Sequence, residues 1–315
     1  MIKICYGCGV KLQSEKEGKE GYIPLNKIEN SSYCKRCFQL MHYGKTTIED
    51  VPKENKTIIS AVNNAKESAV FLIDFLNINN EVINLFKQIK CPKVLVISKI
   101  DALPFTIKQN NLINFIKEYY EIKDDVKVVS SNKNIGLDSL FNYLYDKNFK
   151  TVYILGLSNS GKSTLINKII KNYNINKNTI TTSKVPNTTR EFIRVKIDDY
   201  LTLIDTPGFV INSLNYLYEK KINEKIFQMK KSEILKIDNL FLKFHEDTNI
   251  NLYLPTVVNV KKHFKEENFN ESIEIEKDTD LVIKGLGFIC FKNKSNISIS
   301  NISKDLIELR KSVLK

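Results

Sequence analysis

The sequence predicts an α/β protein in which a parallel sheet is wrapped by helices, with a small cysteine-rich segment before it and a β-rich region after it. Three observations predict this. From Ala69 to Lys171, short continuous apolar runs alternate with stretches of helical periodicity, the pattern of strands covered on both faces by helices. One such run, Thr151 to Leu155, leads into Gly156-Leu157-Ser158-Asn159-Ser160-Gly161-Lys162-Ser163, a complete G-x-x-x-x-G-K-S loop, and then into the helical spacing of Thr164 to Lys171. Two C-x-x-C pairs precede the alternating region.

The loop defines a chemistry. Glycines at both ends permit a tight turn whose backbone N–H groups face inward, and the following helix N-terminus adds partial positive charge, which makes an anion site for a nucleotide phosphate. Lys162 is placed to bridge β- and γ-phosphates, and the Ser163 hydroxyl to ligate Mg²⁺, an ion that prefers oxygen donors.

Length and charge set the frame. At 315 residues the chain holds two or three domains. Its net charge of +12, from 48 Lys+Arg against 36 Asp+Glu, points to a polyanionic partner, nucleic acid first and membrane surface second. A general bias toward Lys, Asn and Ile is the competing explanation of the excess. No apolar run reaches the roughly 20 residues of a membrane span, and the N-terminus lacks a signal-peptide core, so a cytosolic chain without a membrane partner is expected.

In the first segment, Cys5-x-x-Cys8 and Cys34-x-x-Cys37 supply four thiolates in the pairing that surrounds one tetrahedral Zn²⁺ and holds a segment too small for its own core. Two disulfides or a redox pair are the alternatives; a reducing compartment disfavours the first, and redox pairs usually occur singly. Around the second pair, Lys35, Arg36, His42 and Lys45 lie beside Tyr33, Phe38 and Tyr43. These residues either combine charge and stacking for nucleic acid or simply cover the metal. Cys91 and Cys290 stand alone and read as core.

Residues 46–66 read as a linker or a short helix. Strands follow at Ala69 to Ile73, Val94 to Ile97 and Val126 to Val129, with helices at Glu81 to Ile89, Asn110 to Glu121 and Gly136 to Tyr145. The first two strands end at Asp74 and at Ser98-Lys99-Ile100-Asp101; the third is followed by Ser130-Ser131-Asn132. Only Asp146 to Lys150 separates the last helix from the strand of the phosphate loop, so both halves belong to one sheet. Beyond the loop, a polar stretch ends in Pro186-Asn187-Thr188-Thr189-Arg190. Strands at Phe192 to Ile197 and Tyr200 to Ile204 then lead to Asp205-Thr206-Pro207-Gly208. An acidic strand terminus opposite a phosphate loop is the expected Mg²⁺ partner, and the glycine N–H after it can reach a γ-phosphate.

These segments resemble the five boxes of a translation-factor-type GTPase in an unusual order: S-K-I-D (G4), S-S-N (G5), the phosphate loop (G1), the Thr-Thr segment (G2) and D-T-P-G (G3). With the zinc segment in front, the chain resembles the YqeH family of circularly permuted ribosome-biogenesis GTPases, and Asp280 to Ile289 (DLVIKGLGFI) is similar to that family's terminal signature. The resemblance divides the chain into a zinc module (1–50), a circularly permuted GTPase domain (51–210) and a β-rich, RNA-binding domain (211–315).

The resemblance also implies roles. Asn159, Ser160, Gly161, Lys162, Ser163 and Thr164 would hold the phosphates of GTP or GDP. Ser163, Thr189 and Asp205 would serve Mg²⁺, with Thr188 the alternative switch threonine, and Lys162, Thr189, Asp205 and Gly208 would form the catalytic set. Asp101 would accept from guanine N1 and N2, Lys99 would lay its stem by the base and the phosphate loop, and the Ser131 and Asn132 backbone would meet O6, with Ser130 in the same guanine-binding segment. Asn159 sits where potassium-activated relatives place a K⁺ ligand. The implied partners are the small ribosomal subunit or its precursor and rRNA, met by a monomeric chain. Another RNA particle, the large subunit, or a nucleotide-gated RNA binder without turnover are the alternatives.

Two departures carry expectations. Ser98 replaces the family's asparagine: either its shorter side chain falls short of guanine N7 or of that residue's structural partners and GTP selectivity is weaker, or, the favoured reading, the substitution is tolerated because Asp101 supplies the charged guanine contact. Phe209 follows Gly208 where Ras-like enzymes have a water-orienting Gln, so intrinsic hydrolysis is expected to be slow and to depend on K⁺ or a partner. Past Ile211, Lys220, Lys221, Lys225, Lys230, Lys231 and Lys236 make the chain basic, and Asn251 to Leu254, Thr256 to Val260, Asp280 to Ile283 and Gly287 to Phe291 read as strands.

Overall fold

A computed structural model describes residue 3 and residues 11–16, 21–28, 34–35, 51–102, 108–173, 182–184, 192–214, 222–265, 267–269 and 271–313. Cys5, Cys8, Cys37, Thr188 and Thr189 lie outside these residues.

The alternating region builds one seven-stranded sheet. In chain order it comprises α1 (Val51–Ala65), β1 (Ser68–Asp74), α2 (Asn80–Lys87), β2 (Lys93–Ser98), α3 (Gln109–Tyr119), β3 (Asp125–Val128), α4 (Leu137–Asp146), β4 (Thr151–Gly156), α5 (Lys162–Tyr173), β5 (Thr182–Lys184), β6 (Ile193–Lys196) and β7 (Thr202–Asp205). The order across the sheet is β3-β2-β1-β4-β7-β6-β5. The pairs β3/β2, β2/β1, β1/β4 and β4/β7 are parallel, whereas β6 pairs antiparallel with both β7 and β5. Strand β1 is buried along its whole length, as its unbroken apolar sequence demands.

The segment at 46–66, read as a linker or short helix, contains the 15-residue α1, whose Ile58, Ile59 and Val62 are buried against the sheet. Its apolar stripe at helical spacing is short and set among Asn, Lys and Thr, so it was weak in the sequence. The joint between the two halves is held by side chains: the Tyr145 hydroxyl donates to Asp198, the two rings of Tyr145 and Tyr200 stack 4.9 Å apart, and the Tyr200 hydroxyl reaches Asn148.

The remainder is two five-stranded antiparallel sheets face to face. One has the order β12-β9-β10-β16-β13 and the other β17-β14-β15-β11-β8. They are built from β8 (Ile222–Met229), β9 (Ile234–Ile237), β10 (Leu240–Phe244), β11 (Thr248–Pro255), β12 (Val260–His263), β13 (Glu271–Ile275), β14 (Thr279–Ile283), β15 (Gly287–Phe291), β16 (Ser295–Ser300) and β17 (Ile307–Lys311). Leu235, Leu242, Phe244 and Ile297 from one sheet meet Ile250, Leu252, Leu281 and Ile289 from the other, the interdigitation expected of a sandwich. The expected strand over Thr256 to Val260 is instead a turn between β11 and β12. Pro255 has no N–H to extend a ladder, Val258 N closes the turn on the Pro255 carbonyl at 3.1 Å, and Val257 is half exposed.

The outer face of the β8/β11/β15/β14/β17 sheet packs on the nucleotide-type domain. Phe288 meets Phe75 edge-on with centroids 5.5 Å apart and stacks on Tyr253 at 4.9 Å. Gly285, in the turn between β14 and β15, donates its N–H to Asn77 Oδ1 at 3.1 Å. It has φ +80°, and a Cβ there would lie 1.9 Å from the Leu214 carbonyl oxygen, so this position needs glycine because the hairpin is pressed between two other segments. Arg310 is fully buried at the same junction, paired with Asp280 at 3.2 Å and donating to the Ile78 carbonyl.

Candidate nucleotide site

Register places the site. Asp74 pairs with Ser98 across β1/β2, Leu72 with Gly156 across β1/β4, and Ile154 with Asp205 across β4/β7. The loops that follow β1, β2, β3, β4 and β7 therefore leave the sheet along one edge, where ligands of open α/β sheets bind.

Lys162 begins α5 and is buried; its ammonium donates to the carbonyls of Gly156 at 3.2 Å and Leu157 at 2.9 Å. Burial pulls its pKa down to about 8, against the upward influence of Asp205. Asp205, at the end of β7, is pushed up by burial, with Lys162 and the Thr206 N–H drawing it back. Its Oδ1 is buried without a hydrogen-bond partner, an acceptor in need of a cation. Ser163, exposed at the start of α5, supplies a hydroxyl of the kind Mg²⁺ takes, so the donor set fits that ion. Asn159 is exposed with φ 65°, a left-handed position that asparagine tolerates. Ser160 is buried, and Gly161 and Thr164 complete the loop and the first helical turn.

The segment after β7 runs against the phosphate loop. Phe209 N donates to the Gly156 carbonyl at 2.9 Å, and Ser158 N donates to the Phe209 carbonyl at 3.1 Å. A Cβ on Gly208 would stand 2.6 Å from Ser158 N, so only glycine lies this close. Thr206 anchors the turn by donating its hydroxyl to the Ile154 carbonyl at 2.9 Å. The Phe209 ring points away from the loop; it is buried and stacked on Phe71, centroids 5.5 Å apart.

On the other side of the edge, Ser98 Oγ donates to the Ser160 carbonyl at 2.8 Å and lies 3.3 Å from the Ile73 carbonyl. Of the two readings of Ser98, the one in which serine is too short for structural partners does not hold at the phosphate loop: the strand end passes close enough for one hydroxyl to tie them. Lys99, with φ 61°, pairs with Asp74. Asp74 is buried and its Oδ1 also accepts from Leu76 N at 2.9 Å. Ser130 is buried and donates to Asp101 Oδ1 at 2.6 Å while accepting from Lys133 N at 3.2 Å. Ser131 and Asn132 form the turn beyond it, closed by the Ser130/Ile135 backbone pair.

Sequence reasoning missed Asp74, Thr206 and Asn55. Asp74 was visible as a strand terminus, but its partner follows a different strand. Asn55 gave no local signal. Of the four cysteines, Cys34 is within the described residues, buried beside Leu12 and Ile23.

The family model described as RsgA GTPase matches residues 51–215, just over half of the chain and the whole arc from α1 to the end of the Gly208 segment. The chain belongs to the RsgA GTPase family. Within this family frame the box order G4-G5-G1-G2-G3 is a circular permutation, and the parallel sheet with helices is a P-loop GTPase core. A second model, described as a 50S ribosome-binding GTPase, matches residues 151–284. The Bacillus subtilis protein YqeH is 33% identical over 241 residues, covering 72% of this chain and 65% of that protein. The NO-associated protein 1 of Arabidopsis thaliana is 27% identical, covering 54% of this chain and 35% of that protein. GTPase Der of Clostridium kluyveri is 27% identical, covering 56% and 42%. This RsgA-family chain thus spans from about a third to just under two thirds of the length of these relatives.

Proposed function

We propose that this chain binds GTP and hydrolyses it to GDP and inorganic phosphate, and that the cycle gates its association with the small ribosomal subunit or its precursor. The observation that carries the reading is the convergence of Gly156–Ser163, Asp205–Gly208, Ser98–Asp101 and Ser130–Asn132 on one sheet edge.

The residues act as follows. Lys162 and the loop N–H groups hold the β- and γ-phosphates, and the Gly208 N–H meets the γ-phosphate. Asp101, oriented by Ser130, accepts from guanine N1 and N2, and the Ser131 and Asn132 backbone faces O6. Ser163, Asp205 and Thr189 or Thr188 hold Mg²⁺, which when bound spreads the charge of the phosphate oxygens. Asn159 would hold K⁺ beside the same phosphates. Phe209, turned into the core, leaves the attacking water without a side-chain partner at that position, so hydrolysis is slow until a monovalent cation or the bound particle assists.

RNA contact is supported by charge. The outer face of the β9/β10/β12 sheet, opposite the face docked on the nucleotide domain, carries Lys236 paired with Lys261 and with Phe241. Lys236 Nζ lies 5.0 Å from the Phe241 ring centroid, and His263 packs on that ring at 5.0 Å. Neighbouring lysines on one sheet face suit phosphate, with Phe241, itself buried, packed beneath them. The four cysteines would bind one Zn²⁺ in the N-terminal module; metal analysis finding one zinc per chain, lost in Cys34→Ala, is the expected result.

The description of the model matched at residues 151–284 favours a second reading, action on the large subunit. Co-sedimentation with separated subunits in K⁺ and Mg²⁺, with a non-hydrolysable GTP analogue or GDP, tests both. Small-subunit pelleting with the analogue alone is expected, large-subunit pelleting selects the second reading, and equal or absent pelleting in both states rejects the ribosomal switch.

A further inference from the structure

The permutation break falls between the Gly208 segment and α1. In chain order these are opposite ends of the GTPase-type unit, yet Asn55 of α1 bridges them. Its Nδ2 donates to the Val210 carbonyl at 2.6 Å and its Oδ1 accepts from Val210 N at 3.0 Å. Asn55 is buried, and a side-chain amide that satisfies both backbone groups of one residue fixes that residue as a β-partner would. Val210 follows Phe209, whose N–H and carbonyl are bound to Gly156 and Ser158. The short run Gly208–Val210 is therefore clamped on one side by the phosphate loop and on the other by α1.

We propose that Asn55 is a positioning residue for the triphosphate state: it holds Val210, and thereby Gly208, where the γ-phosphate is sensed, so that α1 replaces non-covalently the chain continuity removed by permutation. The proposal rests on the GTP reading above. It assigns the amide no contact with nucleotide. Its influence falls on the third phosphate, because the clamped run adjoins the loop at Ser158 and lies away from Asp101 and Ser130.

The same helix supplies a matched control. Asn63 makes the same two-pronged contact, Nδ2 to the Gln88 carbonyl at 3.0 Å and Oδ1 from Lys90 N at 2.8 Å, but at the far end of α1. The experiment measures affinities of the full chain for GDP and for a non-hydrolysable GTP analogue in wild type, Asn55→Ala, Asn55→Asp and Asn63→Ala, with thermal melts of each. Loss of the two hydrogen bonds to Val210 is expected to weaken analogue binding relative to GDP about tenfold in Asn55→Ala, or about 1.4 kcal/mol. Asn55→Asp, which keeps the acceptor and the size but loses the donor, shifts the ratio in the same direction and serves if the alanine variant fails to fold. Asn63→Ala leaves the ratio unchanged. An unaltered ratio in folded Asn55 variants, or an equal shift in Asn63→Ala, overturns the proposal alone. A wild-type chain that binds neither nucleotide overturns the GTP reading and the proposal together.

Discussion

Ser98 Oγ donates to the Ser160 carbonyl at 2.8 Å across 62 residues of sequence, tying the end of β2 to the phosphate loop. Ser98→Ala leaves that buried carbonyl without its donor, at a cost of about 1 to 3 kcal/mol. Denaturant unfolding is expected to show this loss, and GDP affinity to fall several-fold, because the phosphate loop and the Lys99–Asp101 loop lose their direct link. Unchanged GDP affinity in a destabilised variant would make the tie purely structural.

Asp74 and Lys99 pair at the neighbouring strand end, with the carboxylate buried and the lysine partly exposed. Asp74→Asn keeps the volume and an acceptor for Leu76 N but removes the charge. GDP binding is expected to weaken about tenfold, the share of a charge-assisted hydrogen bond. In a Lys99→Met background Asp74→Asn should add little, which a double-mutant cycle measures.

Lys162 has a pKa lowered by burial from 10.5 to about 8. The unfolded chain therefore binds more protons than the folded one between those values, so stability rises with pH in this window; below pH 8 the buried cation costs on the order of 3 kcal/mol. Phosphate favours the charged form, so nucleotide affinity is expected to fall as pH climbs above 8, with proton uptake on binding. Calorimetry of GDP binding at pH 8.5 in buffers of different ionisation enthalpy measures that uptake, and Lys162→Met should abolish it.

Phe209 stacks on Phe71 in the core. Phe209→Gln, the change toward a Ras-like sequence, is expected to destabilise the fold by a few kcal/mol and to give no gain in hydrolysis, because the side chain leaves the loop toward β1. A faster phosphate release by this variant would mean that the segment turns over in the bound state.

Arg310 and Asp280 are both wholly buried at the junction of the two domains. Arg310→Met strands the carboxylate and is expected to cost about 3 to 5 kcal/mol, and adding Asp280→Asn should restore much of it. Burial already raises the Asp280 pKa. In the single variant the loss should therefore shrink as pH falls toward 3.8, the ordinary value, because the folded state then takes up the proton first. Chemical denaturation at several pH values checks both statements.

Much of this was legible in the sequence because it is written in local patterns. Continuous apolar runs specify strands buried on both faces, the eight residues from Gly156 to Ser163 specify an anion loop by their own backbone needs, and each run ends on the polar residue that the sheet edge presents. The polar α1 and the turn at Thr256–Val258 were harder, since the apolar stripe of the first is short and set among Asn, Lys and Thr, and two adjacent valines mimicked a strand. Only the tertiary structure decided which strand ends stand side by side. That proximity pairs Asp74 with Lys99, ties Ser98 to Ser160, turns Phe209 inward, presses Gly285 against Leu214 and lets Asn55 clasp Val210. Each joins residues far apart in the chain, and a hydrogen bond depends on a few ångströms of separation in space, a quantity that sequence distance does not carry.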